Sequence, residues 1–548
     1  MSCISHDASV IAIGILKPHI VLLNAMIVNL LIAGKLVLSR KLFKSTAIVS
    51  SMTMISRILG FIRDMMFARI FGADSGTDAF FVAFKIPNFL RRLFAEGAFA
   101  QAFVPVLSDY KQQGGKAALR HFIDRTAGTL AIILMLTTIA GMLAAPYLIM
   151  AFAPGFSWEG EQYDLAVQML RITFPYLFFI SSVAFAGGIL NSYGKFAVPA
   201  FTPVFLNICL ISAAIWLAPL MQDPIVALAW GVFFAGAVQL CFQFPALRRL
   251  GLVPRLRFGF RDSGVKHIMK LMLPALFGVS VTQINLLLDT LLASFLTTGS
   301  ISWLYYSDRL VEFPLGIFGI ALATVILPNL AKNHAAEDTE AFSRSLDWGL
   351  KLVILIGAPA SLGLMMLAEP MVSTLFQYNQ FGAHDVAMAG RSLMAYSLGL
   401  LGFILVKVLV PGFTSRKDMK TPVRFGIYAM VANMILNIAL VFPLAHAGLA
   451  LATSLGAFFN ASLLLFALLK TGFYQPSAGW RILILRVILG CSAMAALIYH
   501  CVDISLWLDW GMLERAWNLA MWIAIAAALY AVVLLLSGLR LRHLSVSG

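Results

Sequence analysis

Runs of about 20 mainly apolar residues recur along the whole chain, the first at roughly 45–70 and the last at roughly 514–539. Coiled as a helix, each is long enough to cross a hydrocarbon layer about 30 Å thick. No water is present there to satisfy a backbone N–H or C=O, so segments this long and this apolar have to be helical. Composition agrees, with 60% of the 548 residues hydrophobic and only 12% charged, where a soluble domain carries roughly 25%. The pattern predicts an all-α polytopic membrane protein with fourteen transmembrane helices after residue 44.

The formal net charge of +15 would suit nucleic acid, but its distribution does not. Lys and Arg fall in alternate loops: Lys111, Lys116 and Arg120; Lys195; Arg248, Arg249, Arg255, Arg257 and Arg261; Lys332; Arg416, Lys417 and Lys420; Lys470; Arg540 and Arg542. The connections between them, such as 71–76, 152–163, 298–300, 369–385 and 502–513, hold neither residue, and Arg515 just beyond the last of these is the nearest exception. Fourteen spans with both termini cytoplasmic satisfy the positive-inside rule throughout. No nucleic-acid partner is expected.

Two helix endings, "AFAQAFVPVLSDY" around Pro105 and "GIALATVILPNLAK" around Pro328, lie 223 residues apart, and the same offset relates Pro199 to Pro422. This predicts two pseudo-symmetric six-helix lobes, 41–262 (helices 1–6) and 263–472 (helices 7–12). Six is even, so both copies start from the same side and the repeat is parallel. Residues 473–548 supply two further helices. Residues 1–40 read as an N-terminal extension, because the apolar stretch 19–34 is shorter than a span and would reverse the topology. A start codon placed upstream of "SRKLFKSTAIVSS" accounts for it, and a peripheral amphipathic segment is the alternative. The 5 cysteines stand singly and the 9 histidines are scattered, which suggests neither a disulfide framework nor a zinc site.

Charges inside the spans are the functional signal. The first span carries Arg57, Arg63 and Asp64; the second adds Asp78, Lys85, Arg91, Arg92 and Glu96; the eighth adds Asp308, Arg309 and Glu312. A cation at a helix centre costs about 2.5–3.5 kcal/mol unless it meets water, a partner or an anionic ligand. Arg69, Arg92 and Lys407 are near enough to a membrane face to be snorkelling anchors. Asp308 with Arg309, and Glu96 with Arg92, can be read as structural ion pairs. Arg57 and Asp64, seven apart, share a helix face. Arg57, Arg63, Arg91 and Arg309 come from both proposed lobes and are read as a shared anion-binding cavity, and the two-pronged guanidinium fork suits a phosphate or pyrophosphate.

The stretch "SSMTMISRILGFIRDMMFARIFGADSGTDAFFVAFKIPNFLRRLFAEGAFAQAFVPVLSDY" closely resembles the opening of the MurJ (MviN) family of bacterial lipid II flippases. "GSISWLYYSDRLVEFPLGIFGIALATVILPNL" and "KVLVPGFTSRKDMKTPV" resemble it too, and the likeness runs over about residues 40–540. The resemblance implies the multidrug/oligosaccharidyl-lipid/polysaccharide exporter fold, with the last two helices forming a groove for a polyprenyl tail. It implies that Arg57, Arg63, Arg91 and Arg309 are cavity arginines and that Asp78 is the important acidic residue. Asp64, Lys85, Glu96, Asp308 and Glu312, charges placed inside the spans, are read as secondary cavity candidates. The resemblance further implies a sodium site at Asp289, Asn433, Asn437 and Thr453, one family carboxylate being replaced here by Asn437. No organic cofactor is implied; the membrane potential is a further drive. Lipid II, membrane lipids and other cell-wall synthesis proteins are the implied partners, and the bacterial inner membrane the location.

Three other functions compete. A drug/cation antiporter of the same superfamily would want carboxylates in an otherwise neutral cavity. A flippase for another undecaprenyl-pyrophosphate glycan shares the phosphate logic and differs only in motif. A membrane glycosyltransferase or phosphatase needs an acid/base or nucleophile pair beside a membrane-face loop, and the sequence has no DxD, no His pair and no activated Ser or Cys.

Overall fold

The structure, a computed structural model, describes residues 40–113 and 115–540; the expectation for the N-terminal extension lies outside the described residues. Helix α1 (Arg40–Phe71) is followed by α2 (Ser75–Leu90), which runs through a π-helical segment (Arg91–Phe99) into α3 (Ala100–Gln113). Then come α4 (Gly115–Leu143), α5 (Ala145–Phe152), α6 (Glu161–Thr173), α7 (Tyr176–Ser192), α8 (Ala197–Ser212), α9 (Val226–Arg249) and α10 (Ser263–Ala293). A second π segment (Ala213–Leu217) extends α8, and α11 (Ser300–Pro314) passes through a third (Leu315–Gly319) into α12 (Ile320–Ala335). The chain finishes with α13 (Thr339–Met366), α14 (Ala368–Phe376), α15 (Ala383–Thr414), α16 (Lys420–Lys470), α17 (Trp480–Cys501), α18 (Ile504–Asp509) and α19 (Met512–Leu536).

Among the described residues ten helices are long and apolar enough to cross a membrane, so this is a multi-pass membrane protein. The other long helices, α1, α2–α3 and α10, carry charges or run beside them. Helix α16 folds back on itself at Ala445 (φ 49°, ψ −131°), two residues after Pro443, because proline removes the N–H that would carry the ladder onward. Its arms run side by side, with Gly456 facing Asn433.

Two of the three π segments begin at Arg91 and Leu315, close to the 223-residue spacing of Pro105 and Pro328. The one at Arg91 lies just after Pro87 and the one at Leu315 directly follows Pro314. A π insertion shifts the helical phase and so re-aims the side chains beyond it.

The bundle has a basic end, where the Lys- and Arg-rich loops gather, and a charge-poor end with the turns at 72–74, 294–299 and 377–382. In a first set α1 packs on α8, α2 on α6, and α9 on α7 and α8; in a second set α15 packs on α11, α13 and α16. Helix α10 touches both, lying against the first π segment, α3 and α4 on one side and α16 on the other. Helices α17 and α19 pack together against α13 and α14. They are pinned at the charge-poor end by Trp507 Nε1 on Thr374 Oγ1 (3.0 Å) and at mid-height by Tyr530 Oη on the Leu355 carbonyl (2.7 Å). Arg515, the exception to the loop charge pattern, is buried and donates to the Ser373 and Gln377 carbonyls, so its charge is absorbed by the protein.

Candidate functional site

The two sets are stitched together at the charge-poor end. Asp78, in the first turn of α2 and buried, accepts from Gly299 N (2.7 Å), Ser302 N (2.8 Å) and Ser302 Oγ (2.5 Å). It thereby caps the start of α11, where free N–H groups and the helix dipole favour a carboxylate. Ser294 Oγ accepts from Gly155 N (3.0 Å), and Tyr306 Oη reaches the Gly72 carbonyl (3.4 Å). A Cβ on Gly155 would lie 2.1 Å from the Ser294 carbonyl oxygen, so only glycine lets these backbones meet. Gly299 adopts φ 93°, the left-handed region open to glycine. Beneath this seam Phe67, Phe80, Phe81, Tyr306, Phe376 and Phe381 form a buried aromatic layer. Asp78, expected in the substrate cavity, is placed by the structure in this seal.

Deeper in, α1 meets α11 across a mixed cluster. Arg63 folds onto its own neighbour, donating Nε and Nη2 to Asp64 Oδ1 (2.9 and 2.6 Å), and reaches Asn207 Oδ1 on α8 (3.0 Å) and Tyr305 Oη on α11 (3.0 Å). Tyr305 Oη donates to Asp64 Oδ1 (2.9 Å) and its ring stacks on Phe81 at 3.9 Å. Arg309 lies over the Tyr305 ring (4.9 Å), with Nε 3.6 Å from Asp64 Oδ2 and Nη1 on Glu312 Oε2 at 2.6 Å. Arg63 and Asp64 are buried, whereas the side chains of Arg309 and Glu312 stay 33% and 49% exposed. Arg309 and Glu312 thus keep accessible surface where α1 meets α11.

Asp64 therefore neutralises Arg63 and Arg309, and not Arg57 as their shared face suggested: the adjacent guanidinium reaches the carboxylate first and Asn207 and Tyr305 hold it there. Arg309 pairs with Glu312 and Asp64, and no salt bridge joins it to Asp308 among the described residues. Arg57 is exposed and makes no salt bridge among the described residues; its Nη1 lies against Gly316, 2.0 Å from where a Cβ would stand. Arg91, in the π segment, donates to Asn88 Oδ1 (2.9 Å). The Glu96 side chain lies outside the described residues. Asn207, Tyr305, Ser302 and Gly316 escaped the charge-based reading because they are neutral. A lone Asn in the apolar run "VFLNICL" was the available signal for the first.

Of the implied sodium ligands, the structure joins Asp289 and Asn437: Asn437 Nδ2 donates to Asp289 Oδ1 at 2.7 Å. Thr453 Oγ1 donates back to the Leu449 carbonyl of its own helix (3.0 Å), and Asn433 is buried one turn from Asn437. The Lys85 ammonium donates to Thr290 Oγ1, beside Asp289, and stands within Coulombic reach of Asp289 and Asp308. A hard cation wants several oxygens turned inward. Here the carboxylate meets an amide N–H₂ and has an ammonium nearby, while Asn437 Oδ1 is buried with no hydrogen-bond partner among the described residues, so one oxygen stays open to a cation.

The family model described as "Lipid II flippase MurJ" matches residues 67–521. A protein from Vibrio cholerae serotype O1 named "Probable lipid II flippase MurJ" is 48% identical over 517 residues, covering 93% of this chain and 98% of the relative. A "Lipid II flippase MurJ" from Burkholderia cenocepacia is 42% identical over 511 residues, covering 92% and 98%. Among solved structures, "Lipid II flippase MurJ, inward closed conformation" superposes with a TM-score of 0.75 at 28% identity, over 88% of this chain and 97% of that one. An inward-facing multidrug transporter of the MATE family shares the fold at TM-score 0.63 and 15% identity, over 78% and 98%. With its motifs, its helical fold and most of its length in agreement, the chain belongs to the MurJ lipid II flippase family.

Proposed function

We propose that this protein moves lipid II, the undecaprenyl-pyrophosphate-linked peptidoglycan precursor, from the cytoplasmic to the periplasmic leaflet of the bacterial inner membrane by alternating access. The observation that carries the reading is the pair Arg57 and Arg309: guanidinia from the two helix sets face accessible space at mid-span, and Arg57 has donors uncommitted to any carboxylate. A pyrophosphate is a suitable guest for such a pair, since charge-assisted forks grip phosphate oxygens two at a time. Arg91 adds charge from α2, and Arg63 is the buried member that holds Asp64 and α11 in register.

With α1, α2–α3 and α10 counted, and α16 taken as two arms, the chain makes fourteen crossings. They form two six-helix lobes, 41–262 and 263–472, and a C-terminal pair within 473–548 along which the polyprenyl tail stays in lipid. Both termini and the basic end are cytoplasmic. The charge-poor seam, with Asp78, is then the outer gate, closed here while the basic side admits the head group. Binding of the pyrophosphate relieves repulsion between cations in a poorly screened space, lets the lobes close on the inner side and opens the outer gate. The drive is the membrane potential, worth about 2.3 kcal/mol per elementary charge per 100 mV. Membrane lipids and other cell-wall synthesis proteins are its surroundings and partners.

The test is a strain depleted of this protein, in which labelled lipid II is scored for access to an impermeant periplasmic reagent. Wild type restores access and Arg57→Ala does not, at equal membrane abundance; access with the alanine variant equal to wild type would refute the anion-cavity reading. Orientation is tested in a cysteine-free background: Ser157→Cys reacts with an impermeant thiol reagent in intact cells and Phe258→Cys does not.

A further inference from the structure

The cluster around Asp289 is not used by the substrate reading, and its make-up points to a role for Lys85. Three elements meet there. Lys85 comes from α2, in the first lobe. Asp289 and Thr290 come from the far part of α10, and Asn437 from the first arm of α16. The Lys85 ammonium is held by Thr290 Oγ1, with Asp289 next along the chain and Asp308 also within Coulombic reach. Asp289 in turn accepts from Asn437, which is fully buried. A carboxylate placed among apolar helices at this depth needs a counter-charge. Lys85 of the opposite lobe supplies a positive charge beside it, held one residue along the chain on Thr290 Oγ1.

We propose that the Lys85 ammonium is the resident cation of the Asp289–Asn437 pocket, a tethered counter-ion that does the work of a bound metal ion and couples α2 to α10 and α11. Two features agree. Asn437 has an amide where a second carboxylate would have made the pocket doubly anionic, and one ammonium matches a singly charged pocket better. Lys85 sits on the same helix as Asp78, two turns farther in, so the outer seal and the counter-ion ride on one rigid element. The helix shift that frees Asp78 from α11 also breaks the Lys85–Thr290 hydrogen bond and draws the ammonium away from Asp289, so the seal and the counter-charge are lost together. The lobe-to-lobe charge pair therefore makes the closed outer gate independent of external sodium. This inference concerns cation binding alone and stands apart from the identity of the transported lipid.

Purified protein in sodium chloride and in choline chloride at matched ionic strength provides the test, read as thermal stability. Wild type is expected to melt at the same temperature in both. Lys85→Met removes the charge while keeping the length, and is expected to gain a saturable, sodium-specific rise of roughly 2 °C or more, which Asp289→Asn in the same background abolishes. Asn437→Asp, which adds a carboxylate beside the intact ammonium, is expected to gain a sodium response as well, and covers the case in which Lys85→Met does not fold. A saturable sodium response in wild type that Asp289→Asn removes would overturn the proposal. So would sodium insensitivity of Asn437→Asp together with that of any folded Lys85→Met protein.

Discussion

Asp78 and Asp64 are both buried carboxylates on neighbouring helices, and the protein uses them in opposite ways. Asp78 has no cation in its shell; backbone N–H groups and a hydroxyl from α11 satisfy it, and glycines on either side let two backbones come together. Asp64 is surrounded by side chains: two guanidinia and a phenol, two of the three reaching from the other helix set. A carboxylate that closes a helix N-terminus makes a rigid, dry joint. A carboxylate shared between arginines makes a joint that another anion can enter, because the guanidinia have more donors than it can use. The seam at the charge-poor end is built to hold or release as a unit, and the mid-span cluster is built to exchange partners.

The most severe way to break this contrast is at the seam. Asp78→Ala leaves Gly299 N, Ser302 N and Ser302 Oγ buried without their acceptor, a loss of about 3 kcal/mol or more from the closed end. Export should fail, and a cysteine placed at Ser302 should become reactive to an impermeant thiol reagent. Asp78→Asn keeps one acceptor oxygen and the shape, so both effects should be smaller. If the Ser302 position stays protected in Asp78→Ala, the carboxylate does not hold the seal.

The mid-span arginines separate next. Arg63→Ala strips Asp64 of its closest partner and leaves Asn207 Oδ1 without its donor, so the melting temperature of purified protein should fall, with a loss of about 2 kcal/mol. Arg57→Ala touches no carboxylate and should leave thermal stability within about 0.5 kcal/mol of wild type while abolishing export. Arg57→Lys keeps the charge without the planar fork and should export at an intermediate level. Equal destabilisation by the two alanine substitutions would erase the distinction between a structural and a ligand-facing arginine. A smaller effect belongs to Tyr305→Phe, which removes one donor to Asp64 and one acceptor for Arg63 and should cost about 1–2 kcal/mol, with export reduced but present.

Most of the scaffold was legible before any coordinates, because in lipid the chain has little choice: length and apolarity dictate helices, and the alternation of Lys and Arg dictates which ends share a side. Arg63, Asp64 and Arg309 do meet where α1 faces α11, and Arg57 lies against Gly316, beyond the end of α11. Their pairing was not legible. Seven residues of helix bring Arg57 and Asp64 to one face, but Arg63 is long and flexible enough to turn back on its neighbour. What fixes it there, Asn207 and Tyr305, comes from α8 and α11, 144 and 242 residues away. The seam was hidden for a related reason. Asp78 reads as a charge in a span, and only the fold shows it opposite the first turn of α11. The π segments at Arg91 and Leu315 likewise re-aim side chains in a way that a regular 3.6-residue period cannot anticipate.

The mildest test concerns how Arg57 is aimed. Its guanidinium lies against Gly316 in the Leu315–Gly319 π segment, and a methyl group at that position would stand 2.0 Å from Nη1. The obstacle is the far end of a flexible side chain, so Gly316→Ala should push the guanidinium aside and leave the helices in place. The backbone of Gly316 is not in the left-handed region, so alanine carries no conformational penalty there, and a small gain from reduced unfolded-state freedom offsets part of the crowding. Thermal stability should therefore stay within about 0.5 kcal/mol of wild type. Export should drop by less than in Arg57→Ala, because the charge remains in the cavity and only its position changes. Combining Gly316→Ala with Arg57→Ala should add nothing further, since the methyl group then has no guanidinium to displace. An additive loss in the double variant would mean that Gly316 serves the packing of α11 against α1, and that Arg57 is aimed by something else.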